Sequence, residues 1–272
     1  MTIGENKPSL PVYLRYGLCL KSGIFYTTVW TIFLQRLGGT VRNGYKRKMS
    51  NNRKNILAVG AHFDDIELGC GGTLLKHVAA GDMVTAVVVT DSGYRAPDGN
   101  DVRATETARY EGAKAARMIG CDLVELGLPT LHVSFDENLT AKLNRVITEK
   151  NIDTLYGHWT GDVHRDHLNA GKCCLMAGRH VPRHLMYRSN YYDSGKPFRG
   201  NFYSDISKFI ERKMEVIGIY ESELERTNGE WVTVFQARHK ADGLIIGVPY
   251  AEAFEIVRYL ALSTQEQKGA AF

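Results

Sequence analysis

The sequence predicts an α/β fold in which a mostly parallel sheet carries helices on both faces within a single domain. Three observations point to it. From residue 55 onward, short apolar runs of strand length alternate with amphipathic segments of helix length. Two of the runs, Ile56–Gly60 and Met83–Val89, are nearly continuous rather than alternating in polarity, the pattern of strands buried on both faces. Turn residues such as Gly81-Asp82 and Gly120 separate the two kinds of segment. A strand–helix–strand rhythm of this kind gives a Rossmann-like layered sheet.

The elements follow in order. Ile56–Gly60 is the first strand, and the helix after it is expected over Gly71–Ala80, stopped by Gly81-Asp82. Met83–Val89 is the second strand. Asp91–Val102 is polar and holds Gly93, Pro97 and Gly99, so it reads as a loop. Thr105–Ile119 is a helix closed by Gly120. Leu123–Leu126 is a strand, Glu137–Glu149 a helix and Thr154–Tyr156 a short strand. His167–Ala177 is helical, His184–Arg188 extended, and Lys208–Ile219 and Val232–Lys240 supply later helices. No internal repeat or low-complexity tract interrupts the pattern.

A chain of 272 residues that is 44% hydrophobic and 24% charged can build a sizeable core. Its formal charge of +4 is concentrated at one end. Residues 1–48 hold eight Lys/Arg against one acid, Glu5, leaving 26 basic and 29 acidic residues in the body. A nucleic-acid footprint belongs on the folded domain, so no nucleic-acid partner is expected. Residues 1–48 are expected to be a basic leader, either an upstream-start artefact or a poorly ordered extension, with the domain spanning 49–272 from Met49. The leader's apolar run, Gly23–Leu37, is too short to span a bilayer, and a basic segment lying on a membrane surface is the second reading. Cysteines 19, 70, 121, 173 and 174 are odd in number and form no CxxC pair, which suits reduced thiols in a cytoplasmic protein.

In parallel sheets, ligands gather at the carboxyl ends of the strands. Ala61-His62-Phe63-Asp64-Asp65-Ile66-Glu67 lies just past the first strand, and Asp162-Val163-His164-Arg165-Asp166-His167 follows the strand near Tyr156. Both therefore open on the same edge. Adjacent Asp64 and Asp65 are costly as two anions unless a cation compensates them. Three nitrogen and carboxylate ligands plus water make a common catalytic zinc arrangement, and the spare carboxylate can then act on the water. No GxSxG nucleophile is present, and Cys70 among glycines reads as packing.

The stretch AHFDDIELGCGGTL resembles the AHPDDIELGCGGTL signature of the LmbE-like deacetylases, the group that includes the PIG-L N-acetylglucosaminyl-phosphatidylinositol deacetylases. GDVHRDH resembles that family's second signature, HxDH, and the similarity runs from about Asn55 to Val248-Pro-Tyr-Ala-Glu-Ala-Phe254. One departure is Phe63, where the family has proline. The resemblance implies a metal held by His62, Asp65 and His167, with Asp64 as general base. It makes His164 the group serving the oxyanion or the leaving amine, and Asp166 the partner that orients a histidine. Glu67 is either a support for the ligand turn or an ordinary acid at a helix start. Zinc is the expected metal, with iron(II) the other candidate.

The implied activity is removal of an acetyl group from an N-acetylglucosamine-type conjugate by metal-activated water. An antibiotic or other secondary-metabolite pathway is the first expectation. A mycothiol-type S-conjugate amidase is the alternative, as is a non-catalytic sugar- or nucleotide-binding module with Gly69–Gly72 cradling a phosphate. Candidate sugar contacts are Arg95 on the polar loop, Arg103 and Arg109 near a helix start, Trp159 with His158 beside the second cluster, and Tyr250 and Glu252 in the family-like end segment. Tyr191 and Tyr192 are expected to pack rather than to stack on ligand.

Overall fold

The computed structural model describes residues 53–261, so the leader and its Cys19 lie outside the described residues. Nine strands and seven helices alternate along them: β1 (Asn55–Gly60), α1 (Asp65–Ala79), β2 (Met83–Thr90), β3 (Tyr94–Arg95), β4 (Asp101–Arg103), α2 (Thr105–Ile119), β5 (Asp122–Leu128), α3 (Glu137–Glu149), β6 (Thr154–His158), α4 (Arg165–Ala177), β7 (Arg183–Tyr187), β8 (Phe202–Asp205), α5 (Ile210–Ile217), α6 (Glu221–Arg226), α7 (Glu230–Ile246) and β9 (Ala251–Tyr259). Seven strands form one sheet in the order β5-β2-β1-β6-β7-β9-β8. The first five of these run parallel, and β9 pairs antiparallel with both β7 and β8. It is the mostly parallel, helix-covered sheet that the sequence predicts.

Continuous apolarity in β1 has a direct reading. Side chains alternate across a sheet, and here both sides are core. Ile56 and Ala58 join Phe63, Ile66, Leu74, Tyr187 and Phe254 on one face. Leu57 and Val59 join Val87, Leu139, Leu155 and Cys173 on the other. From β1 the chain builds outward through β2 and β5, then crosses to β6 and β7 on the opposite side. The carboxyl ends of β1 and β6 therefore flank the crevice where strand order reverses, the usual ligand position in such sheets.

Three expectations are corrected. The helix after β1 starts at Asp65 rather than at Gly71, so Asp65 and Glu67 occupy its first turn, where acids suit the helix N-terminus. Gly69, Gly71 and Gly72 look like breakers but lie inside this helix, and a Cβ on Gly69 would sit 2.0 Å from the Tyr187 ring. Gly69 and Gly72 are there for close packing, and with all three inside the helix no phosphate cradle forms at its end. The expected loop 91–102 contains the β3–β4 hairpin, turned at Gly99 with φ 88° and tied by an Arg95–Asp101 ion pair of 2.7 Å. Strands β8 and β9 carry charged residues at positions where an apolar run would announce a strand, and sequence reading missed them.

Phe63 is nearly fully buried, and a Cβ on Gly112 of α2 would come within 2.0 Å of its ring. The ring thus fixes the turn by packing, where proline would fix φ. Gly112→Ala is expected to destabilise the domain by about 1–3 kcal/mol, the usual cost of overpacking, despite alanine's higher helix propensity. Denaturant unfolding of the variant checks it; a gain in stability would show that Phe63 does not depend on this contact.

Candidate active site

His62 leaves the end of β1 and His167 stands in the first turn of α4, after β6. His62 Nδ1 is 3.2 Å from His167 Nε2 and 3.3 Å from Asp65 Oδ2, and His167 Nε2 is 3.2 Å from Asp65 Oδ1. Three side chains from two segments about a hundred residues apart come together here, one carboxylate oxygen facing each imidazole. Donors around a tetrahedral metal at about 2.0–2.1 Å stand roughly 3.3 Å from one another, so the spacing suits a divalent ion.

The far nitrogens strengthen this reading. His62 Nε2 lies 3.1 Å from Asp166 Oδ2, and His167 Nδ1 lies 3.0 Å from Asp162 Oδ2. A carboxylate behind each imidazole keeps the proton on the outer nitrogen and turns the free lone pair inward, as metal-binding histidines require. Asp166 is itself fixed by the N–H groups of Leu131 and Val133, at 2.6 and 3.2 Å. Asp162, which sequence reading left without a role, also accepts from Asn190 Nδ2. Two overlapping groups could hold a metal: His62, His164 and His167, and Asp65, His158 and His167. His158 is the weaker ligand candidate, because its Nε2 accepts the Ala61 N–H at 2.9 Å and that lone pair is used. His164 accepts the Asp166 N–H through Nδ1 as the cap of α4, which leaves its Nε2 free.

Charge completes the picture. Burial works against a proton on His62, yet its bonds to Asp166 and Asp65 push it up to about 10. Burial would likewise raise Asp65, but His167 and His158 facing it hold its carboxyl well below the usual range. The cluster demands positive charge. Burial and the neighbouring His167 and His62 bring His164 down to about 4, so its ring is neutral near pH 7.

Asp64 sits one residue before α1 with φ 121° and ψ −32°, a conformation that L-residues rarely adopt. Burial holds its carboxyl well above the usual range, even though the Arg103 guanidinium donates to Asp64 Oδ2 at 3.0 Å. Arg103 also donates to Phe63 O at 3.0 Å and to Glu111 Oε2 at 3.1 Å. Expected as a sugar contact, this arginine lines the cavity but turns its terminal nitrogens to Asp64, Phe63 and Glu111.

Around these groups lies a cavity of about 410 Å³. Its inner wall is polar, formed by His62, Asp64, Asp65, His164, His167 and Ser189. Toward the mouth stand Tyr94, Val102, Tyr191 and Tyr192, all substantially exposed. The two adjacent tyrosines therefore line the cavity rather than pack inside the domain. Of the seven residues expected to contact sugar, Arg103 alone is in this lining. Arg95 pairs with Asp101 on the hairpin surface, and Arg109 pairs with Glu125 at 2.9 Å. Trp159 gives its Nε1–H to Glu255 at 3.0 Å, Tyr250 stacks under Lys240, and Glu252 is fully buried beside α1. Ser189, which donates to Asp65 Oδ1 at 2.7 Å, carried no sequence signal. Glu67 is buried, and burial raises its carboxyl to about 7. Cys70, Cys121, Cys173 and Cys174 are free thiols.

The fold and this centre define an α/β protein with a carboxylate–histidine cluster, able to hold a metal, at its topological switch point. The model of the family described as "PIG-L: GlcNAc-PI de-N-acetylase" matches residues 57–177. The "Uncharacterized deacetylase YaiS" of Escherichia coli (strain K12) is 33% identical over 153 residues, covering 52% of this chain and 76% of that protein. The chain belongs to this PIG-L, or LmbE-like, deacetylase family. It is also 25% identical over 231 residues to the diacetylchitobiose deacetylase of Thermococcus kodakarensis (strain ATCC BAA-918 / JCM 12380 / KOD1), covering 76% of this chain and 84% of that one. The crystal structure of GalB, the 4-carboxy-2-hydroxymuconate hydratase of Pseudomonas putida KT2440, shares the fold with a TM-score of 0.63 at 17% identity, over 78% of this chain and 99% of that one. The fold thus hosts more than one chemistry, and function has to be argued from the site.

Proposed function

We propose that the protein is a metal-dependent N-deacetylase that hydrolyses the acetamide of an N-acetylglucosamine-type conjugate. The observation that carries the reading is the convergence of two carboxylate-backed imidazoles and Asp65 beside a separate, buried Asp64. His62 Nδ1, Asp65 and His167 Nε2 would hold the metal, with zinc favoured by the nitrogen and carboxylate donor set. When bound, a zinc ion lowers the pKa of water and polarises the acetyl carbonyl. Asp64 takes a proton from the attacking water as the C–O bond forms. His164, through Nε2, hydrogen-bonds the developing oxyanion. As the C–N bond breaks, the proton held by Asp64 passes to the nitrogen, so one amide and one water become acetate and an amine.

The aromatic mouth supports a conjugate over a free monosaccharide, because exposed rings offer flat surfaces to whatever the sugar carries. A secondary-metabolite conjugate fits that description. Among the described residues no helix is long and apolar enough to cross a membrane. The test is acetate release from a panel of N-acetylated sugars and conjugates by zinc-loaded protein. Chelation should abolish the release and zinc restore it. Protein that binds no divalent metal, or releases no acetate from any member, overturns the reading.

A further inference from the structure

Lys213, from α5, has no exposed surface, yet its ammonium reaches three acceptors: Leu68 O at 2.9 Å, Glu252 Oε1 at 2.6 Å and His239 Nε2 at 2.6 Å. Glu252, from β9, is equally buried. Its carboxylate accepts the backbone N–H of Gly72 at 2.8 Å and of Thr73 at 2.7 Å, together with the Thr73 hydroxyl. Those two N–H groups lie in the middle of α1, where a helix needs no outside acceptor. Leu68 O, the ordinary helical acceptor for residue 72, is the atom that Lys213 reaches. One ion pair is therefore interleaved with the backbone of α1 on both sides of Gly69-Cys70-Gly71. A Cβ on Gly72 would lie 3.0 Å from Glu252 Oε1 and 2.9 Å from Ile206, so this carboxylate can approach only glycine.

Burial of an ion pair is a poor way to gain stability, since well-packed apolar residues commonly do as well or better. What a hydrogen-bonded pair supplies is a fixed direction and distance. The segment it holds is the one that matters: Leu68 lines the cavity, and Asp65 opens the same helix one turn earlier. We propose that Lys213, Glu252 and His239 are positioning residues that clamp the first two turns of α1 and so set where Asp65 meets the two histidines. All three lie outside residues 57–177, which match the family model, so the last third of the chain completes a centre whose ligands precede it. The inference rests on Asp65 being a metal ligand, as proposed above.

Lys213→Met and Thr73→Val test it, the second being mild enough to remain folded if the first does not. The readouts are amide hydrogen exchange resolved along the chain, zinc affinity by chelator competition, and the denaturant midpoint. The expected result is faster exchange confined to residues 65–73, with zinc affinity per folded molecule reduced by about 10-fold or more, the scale on which supporting contacts act. Exchange that rises evenly over all helices, or zinc affinity that is unchanged while only the midpoint falls, would reduce the cluster to packing and overturn the proposal. Wild-type protein that holds no zinc would sink the metal reading instead, and the exchange pattern would still decide whether the clamp exists.

Discussion

Asp65→Ala is expected to leave a folded protein whose zinc affinity has dropped by more than about 100-fold, beyond the 10–100-fold range seen when only a supporting contact is lost. Asp65 is the one carboxylate facing both imidazoles, at 3.3 Å from His62 and 3.2 Å from His167. Without it the centre loses its central negative charge, and His62 and His167 lose the carboxylate between them. Acetate release should vanish with the metal. Metal analysis after dialysis, run beside the acetate assay, checks both parts. A variant that keeps stoichiometric zinc would show that His62, His164 and His167 suffice, the other arrangement these side chains allow.

Asp64→Asn should behave differently. Zinc stays bound, because Asp64 is not among the three converging donors. Turnover should fall by about 10²- to 10⁴-fold, the usual contribution of a positioned base, equivalent to roughly 3–5 kcal/mol of barrier. KM should change little, since the loss belongs to the transition state. Asparagine is the right replacement: it matches the shape of aspartate, still accepts from Arg103, and tolerates positive φ better than most residues. Steady-state kinetics on metal-saturated enzyme decides the matter, and a kcat within a factor of about 3 of wild type would remove Asp64 from the base role.

Much of this was legible in the sequence because parallel strands and switch-point loops leave local marks. The unbroken apolarity of β1 and β2 announces burial on both faces, and two polar clusters after β1 and β6 announce the crevice. What stayed hidden depends on contacts distant in the chain. The start of α1 was misjudged because its glycines answer to Tyr187 and Ile206, more than a hundred residues away. Strand β9 was missed because Glu252 and Glu255 interrupt its apolar run, and Lys213, the buried partner of Glu252, lies far off in the chain. Asp162 and Ser189 had neighbours, not motifs, to speak for them. Arg103 is the expected sugar contact that lines the cavity, while Arg95 and Arg109 pair instead with acids close by, which the sequence does not mark.

The backbone at Asp64, with its φ of 121°, has a consequence for any effort to harden this protein against heat. Glycine would rest comfortably in that conformation, so selection for thermal endurance alone would drift toward removing the side chain proposed above as the base. Endurance and turnover then pull in opposite directions at this one position, where the Arg103 guanidinium pairs with the carboxylate.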